Sequence, residues 1–208
     1  MSVNSHSNQY GERRKRPEQL RSRETVERIL AAAARIFADA GYSATTTNHV
    51  AEAAGVSIGS LYQYFPNKDA LLAALEEQHL DLASTSFGMV AADWRAQHPN
   101  PRQWTESFVD WLIAANDSAV HVMIYDNAPA LPLTRRIADA LVDEMTGELA
   151  AHMRRWGVRG DRRLRAQVIV VAAVRLVHDL AVRAQRGDDR DRVRREIVRL
   201  VACSIPRA

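Results

Sequence analysis

A single cysteine, Cys203, is all the thiol chemistry in the 208 residues. No disulfide can form within the chain, and a reducing, cytoplasmic setting is expected. No apolar run reaches the roughly 18 residues that a membrane span needs, and the N-terminus lacks the apolar stretch of a secretory signal. Nine glycines and seven prolines are too few to turn the many short strands of a β-sandwich. Absent too are an H-E-x-x-H pair, a glycine-rich phosphate loop and a nucleophile motif. His121, Asp126, His152, His178 and Asp179, with Asp81 near His79, are ingredients for acid–base or metal chemistry but lack tight ligand spacing. No enzyme activity, metal or cofactor is therefore expected.

What is present points to helices. Hydrophobic residues make up 47% and charged residues 25%, enough for a sizeable core, and alanine, leucine, arginine and glutamate recur. The net charge is +3 and the isoelectric point about 9.3, a mild lean toward polyanions. Residues 1–24 hold Arg13, Arg14, Lys15, Arg16, Arg21 and Arg23 against Glu12, Glu18 and Glu24, an excess equal to that of the whole chain. With almost no apolar content, this leader is expected to be disordered. It reads equally as an arm for phosphates or a minor groove and as a solvated tail.

From Val26, apolar residues at Ile29, Leu30, Ala33, Ile36, Phe37 and Ala40 follow helical spacing, and Gly41 closes the helix. Thr45, Thr46 and Thr47 supply an N-cap for a short helix carrying Val50, Ala51 and Ala54, stopped by Gly55. Ser57 caps a third, in which Leu61 and Phe65 lie four apart; Pro66 ends it, and Asn67 caps the next. That fourth helix is expected to run from about Lys68 into the nineties, broken by "QHPNPRQ". Further helices are expected near Trp104–Ala115, Val120–Asn127, Thr134–Trp156, Arg162–Arg186 and Asp191–Ser204, about nine in all. "VIVVAAV" (168–174) is composed like a strand, but its setting in an uninterrupted pattern argues for a helix buried on most of its surface.

Two short helices around a glycine turn match a helix-turn-helix. Helices under ~12 residues are marginal alone, so both must lean on the first. With Leu61 and Phe65 inward, Gly59, Ser60, Tyr62, Gln63 and Tyr64 are left outward, and a major groove admits one such helix. Helix ends at Thr47 and Ser57 can receive phosphates, and Lys68 adds a charge. Spacing alone does not decide the matter, because all-helical enzymes use similar pairs and Tyr62 or Tyr64 could complete a small core.

The residues themselves go further. "ILAAAARIFADAGY" followed by "TTTNHVAEAAGVSIGSLYQYFPNKDALL" resembles the DNA-binding region of the tetracycline-repressor-like (TetR) family. The shared features are F-x-x-x-G-Y, the paired threonines, A-x-x-A-G-V-S and L-Y-x-Y-F-x-N-K-x-x-L-L. This agreement covers about Val26 to Leu75; the remainder is similar in layout only. A glutamate or glutamine three after Thr46 or Thr47 is missing, so no capping box is expected there.

The resemblance implies an all-α fold: a helix-turn-helix DNA-binding domain at residues 25–70 and an effector-binding and dimerisation domain at 71–208. It places Thr47, Tyr62, Tyr64 and Lys68 on phosphates, with Ile58, Gly59, Ser60 and Gln63 at base edges beside the Ser57 cap and Asn48 reaching a base from the second helix. Ile58 is apolar, which suits a thymine methyl. It further implies a homodimer through the last two helices, whose seam would include Val193, Ile197, Leu200 and Val201. A cavity for a small-molecule effector is also implied, with Trp94, Trp104, Phe108, Trp111, Met123, Tyr125, Met145, His152, Trp156 and His178 as lining candidates. Aromatic residues at helical spacing also build plain cores. The function implied is a ligand-responsive regulator, a repressor released from a palindromic operator as the fourth helix tilts. The alternatives are an activator, or a helical small-molecule-binding protein or enzyme without DNA function.

Overall fold

The computed structural model describes residues 20–117, 132–184 and 190–205. Among these residues there are eight α-helices and no strand. They are α1 (Leu20–Ala40), α2 (Thr47–Ala53), α3 (Ile58–Tyr64), α4 (Lys68–Gln97), α5 (Pro101–Asn116), α6 (Pro132–Arg155), α7 (Arg162–Ala184) and α8 (Arg190–Ser204). The helix expected at Val120–Asn127 lies outside the described residues. No described helix is long and apolar enough to cross a membrane.

The chain divides into two compact units, with boundaries inside α4 between His79 and Leu80 and inside α6 between Arg135 and Arg136. In the first, α1 presents Ile29, Leu30, Ala33 and Phe37 to Val50 and Ala51 of α2, to Leu61 and Phe65, and to Leu71, Leu72 and Leu75 of α4. The helix begins at Leu20, inside the leader expected to be disordered. One contact anchors this first turn: Ser22 is hydrogen-bonded to Tyr64 at 2.7 Å. The seven residues each of α2 and α3 would not hold as isolated helices. Leu61 and Phe65, both 0% exposed, contribute roughly 1.5–3 kcal/mol apiece by burial.

The second unit is built around Phe87 and Trp94 of α4, Trp104, Phe108 and Leu112 of α5, Met145, Leu149 and Met153 of α6, Val170 and Ala173 of α7, and Ile197 and Val201 of α8. Between the prolines of "QHPNPRQ", Asn100 caps α5: its side chain accepts from the Gln103 amide, and Gln103 returns a bond to the Asn100 amide. "VIVVAAV" is helical, within α7, but it is not buried on most of its surface. Ile169, Val170 and Ala173 point inward, while Leu164, Val168 and Val171 are 57%, 61% and 50% exposed in the single chain.

Candidate nucleic-acid interface

Local chemistry fixes the two short helices. Thr46, in extended conformation, is the N-cap of α2, and its hydroxyl accepts from the His49 amide at 3.3 Å. The cap therefore sits one residue before Thr47, which is the first helical residue. At the other end, Gly55 takes φ +63, a left-handed conformation that few side chains tolerate. Its amide donates to the Glu52 carbonyl and that of Val56 to the Ala51 carbonyl, the double closure of a glycine-terminated helix. Ser57 then caps α3, accepting from the Ser60 amide at 3.1 Å. Asn67 caps α4, accepting from Ala70 at 2.8 Å.

Burial sorts the expected contact residues. Asn48, Ser57, Ile58, Gly59, Tyr62 and Gln63 are exposed, and Thr47, Ser60 and Lys68 are half-buried. Tyr64 departs from the expectation: it is buried, with its hydroxyl on Ser22 of α1. Three residues after Leu61 on a helix, its ring shares the inward side, so it completes the small core. Tyr62 and Thr47 bring their hydroxyls within 3.0 Å at the surface, tying α3 to α2. The Ser57 and Ser60 hydroxyls pair at 2.8 Å. Gly59 has no positive φ, and an added Cβ would meet only Ser57 Oγ at 3.9 Å. Nothing among the described residues requires a glycine there.

Two residues given no role from sequence belong to this surface. Tyr42, the last residue of F-x-x-x-G-Y, accepts a hydrogen bond at its carbonyl from Lys68 Nζ at 2.7 Å, and its hydroxyl donates to the Asp69 carboxylate. Their signal in the sequence was slight, since a tyrosine and an aspartate 27 positions apart meet only once α1 and α4 pack.

The effector candidates lie in the second unit, apart from Met123 and Tyr125, which fall outside the described residues. Trp94, Trp104, Phe108, Trp111, Met145, His152 and His178 are buried, and Trp156 is half-buried. The aromatic rings are packed on one another: Trp104 stacks on Phe108 at 4.7 Å and lies 5.2 Å from Trp94. Trp94 Nε1 donates to Ser107 and Trp111 Nε1 to Ser86, while Trp104 Nε1 has no hydrogen-bond partner among the described residues. A cleft of about 370 Å³ is lined by His98, Pro99, His152, Arg155 and Trp156; of the described candidates, only His152 and Trp156 reach it. His152 Nε2 is 3.2 Å from Glu148 Oε1, close enough for an ion pair but without hydrogen-bond alignment. Glu148 also accepts from Arg95 at 2.6 Å. Burial lowers the His152 pKa most, partly countered by Glu148 and reinforced by Arg155 and His98. Among the described residues no group of three metal-ligating side chains occurs.

Two stretches of the chain match known protein families. The family described as "Bacterial regulatory proteins, tetR family" matches residues 29–75, and "Tetracyclin repressor-like, C-terminal domain" matches residues 101–203. The transcriptional activator FasR of Mycolicibacterium smegmatis is 30% identical over 99 residues, 48% of this chain and 44% of that protein. The chain spans less than half the length of curated relatives such as this one. In solved structures, the fatty acid degradation regulator FadR of Bacillus halodurans aligns with a TM-score of 0.65 at 19% identity, over 90% of this chain and 96% of that one. Bacillus subtilis FadR in complex with stearoyl-CoA aligns at 0.64 and 18% identity, over 86% and 99%. At such identities these two likenesses establish the fold.

Proposed function

The chain belongs to the TetR family of bacterial regulatory proteins, and we propose that it is a ligand-responsive transcriptional regulator that grips a palindromic operator as a homodimer. The observation that carries this reading is the outer edge of α3. Ser57, Ile58, Gly59, Tyr62 and Gln63 are exposed together on a helix held from behind by the fully buried Leu61 and Phe65. Short polar side chains, a methyl-bearing residue and a bare backbone at a helix N-terminus are the groups that read a major groove. The reading head falls within residues 25–70, with effector binding and dimerisation within 71–208.

A second copy of the chain is the partner that suits α7 and α8. Leu164, Val168 and Val171 form a stripe at steps of four and three, and Leu200 of α8 is 56% exposed; three large apolar side chains at helical spacing on one helix and a fourth on the next, all left in water, favour an interface. Two reading heads about 34–36 Å apart then fit one turn of duplex. The effector is a small molecule taken up by the second unit, whose aromatic cluster and buried His152 offer apolar surface with few polar groups. Repression is the proposed outcome, in a cytoplasmic setting and with no catalytic step. The relative FasR is an activator, and that favours activation as the second reading.

Fluorescence anisotropy with labelled DNA from upstream of the gene tests the proposal. A specific site should bind at least about 10³-fold tighter than scrambled DNA, with affinity falling steeply as salt rises. Equal affinity for both DNAs would refute it.

A further inference from the structure

Lys68 stands where a lysine would reach a phosphate, yet its side chain is not free. It is half-buried at the first position of α4, and its ammonium lies 4.2 Å from the centre of the Tyr42 ring. The same nitrogen donates to the Tyr42 carbonyl at 2.7 Å. The Tyr42 ring is in turn braced edge-on by Phe37, with centroids 5.3 Å apart and planes at 61°; Phe37 is 1% exposed. The Tyr42 hydroxyl donates to Asp69, the residue next to Lys68. Burial, and then the bond to Asp69, raise the Tyr42 pKa, so the phenol keeps its proton.

We propose that Tyr42 is a positioning residue for DNA, holding the Lys68 ammonium at a fixed point from which it grips a backbone phosphate. An ammonium carries three N–H donors. The carbonyl takes one and the ring face attracts the charge, which leaves donor capacity for an incoming oxygen. A lysine on a free four-carbon stem gives up rotamer entropy when immobilised; one already held against a braced ring has less left to lose on binding. The hydroxyl has a second task. Asp69 suits the positive N-terminus of α4, but a carboxylate beside Lys68 would compete with a phosphate for it, and the phenol supplies that carboxylate with a neutral donor instead.

The inference rests on the DNA-binding reading, and the experiment separates the two. Anisotropy titrations over a range of salt would compare wild type, Lys68→Met, Tyr42→Leu, Tyr42→Phe and the Tyr42→Leu/Lys68→Met double variant, each checked for folding by circular dichroism. Lys68→Met and Tyr42→Leu should each lower affinity for every DNA on the order of tenfold and reduce the salt slope by about one. The double variant should be no worse than Lys68→Met alone, because both remove the same contact. Tyr42→Phe, which keeps the ring, should recover most of the loss. In the free protein, the Lys68 ε-methylene protons should show an upfield ring-current shift by NMR that vanishes in Tyr42→Leu. If Tyr42→Leu leaves affinity and salt slope intact while Lys68→Met lowers both, or if the two losses simply add, Tyr42 does not position the lysine. Wild-type protein that binds no DNA would overturn the regulator reading, and this inference with it, even where the ring-current shift is present.

Discussion

The hydroxyl of Tyr62, in the middle of α3, lies 3.0 Å from that of Thr47, the first residue of α2. This contact fixes a side chain that is 39% exposed and joins two helices too short to stand alone. Two hydroxyls so paired can turn together toward one phosphate oxygen, each keeping the other in place. Tyr62→Phe removes the shared bond at a surface site, so the stability loss should stay within about 1 kcal/mol. Affinity should fall to a similar degree for all DNA sequences, as it does for phosphate contacts. Gln63→Ala should instead change which sequences are preferred. Binding isotherms on a panel of single-base operator variants check both, and an unchanged panel for Gln63→Ala would remove it from base reading.

Gly59 is informative because no described residue makes use of its missing side chain. It lacks a left-handed φ, and a Cβ would find only ordinary contact with Ser57 Oγ at 3.9 Å. Alanine is preferred over glycine within a helix by up to about 1 kcal/mol. Gly59→Ala should therefore leave thermal stability unchanged or raise it slightly, while weakening operator binding because the backbone can no longer approach the bases. A variant that is both more stable and equally tight would show that this helix end does not enter the groove.

Leu61 carries the opposite load. It is 0% exposed and ties α3 to the first unit's core, so Leu61→Ala should cost about 2–5 kcal/mol and abolish DNA binding by loosening the reading helix. Urea denaturation followed by tryptophan-free probes such as far-ultraviolet circular dichroism would measure the loss.

Much of this arrangement was legible in the residues because local rules and packing agree there. Helical spacing, glycine stops at Gly41 and Gly55, and caps at Ser57 and Asn67 each have one cheap solution, and Leu61 and Phe65 could share only one side of a short helix. Tyr64 was misplaced because an amphipathic side chain is equally at home in a small core and at a surface; its hydroxyl partner, Ser22, lies 42 positions away. The beginning of α1 was missed for a related reason. Polar residues that look disordered by composition continue a helix once that helix is anchored downstream. Around the aromatic cluster, sequence identifies which residues are large and apolar but not which rings meet one another, since that depends on how α4, α5 and α6 pack.

The stripe on α7 makes a prediction independent of DNA. Val171 is 50% exposed and Val168 61% in the single chain, so a charge placed there meets water in a monomer and an apolar partner in a dimer. Val171→Asp should leave the fold intact and shift the mass seen by light scattering from dimer to monomer, because an unpaired carboxylate in an apolar interface costs several kcal/mol. Operator affinity should drop with it as two linked heads become one. A variant that remains dimeric would place the interface elsewhere.

His152 contributes to the acid behaviour of the second unit. It is 0% exposed among Trp94, Trp104 and Trp156, and burial lowers its pKa from the ordinary 6.5, with Arg155 and His98 acting in the same direction against Glu148. In the folded state the ring is thus neutral at a pH where the unfolded chain has begun to bind a proton. As pH falls below about 6.5, the unfolded chain takes up more protons than the folded one, so stability declines until the folded-state pKa is passed. His152→Phe keeps an aromatic ring in an aromatic setting and removes the titration. Its thermal midpoint should depend less on pH than that of wild type between pH 7 and 5, as measured by calorimetry in matched buffers. Some dependence should persist, because burial lowers the His79 pKa as well. An unchanged pH slope in the variant would mean that His152 does not couple folding to protonation.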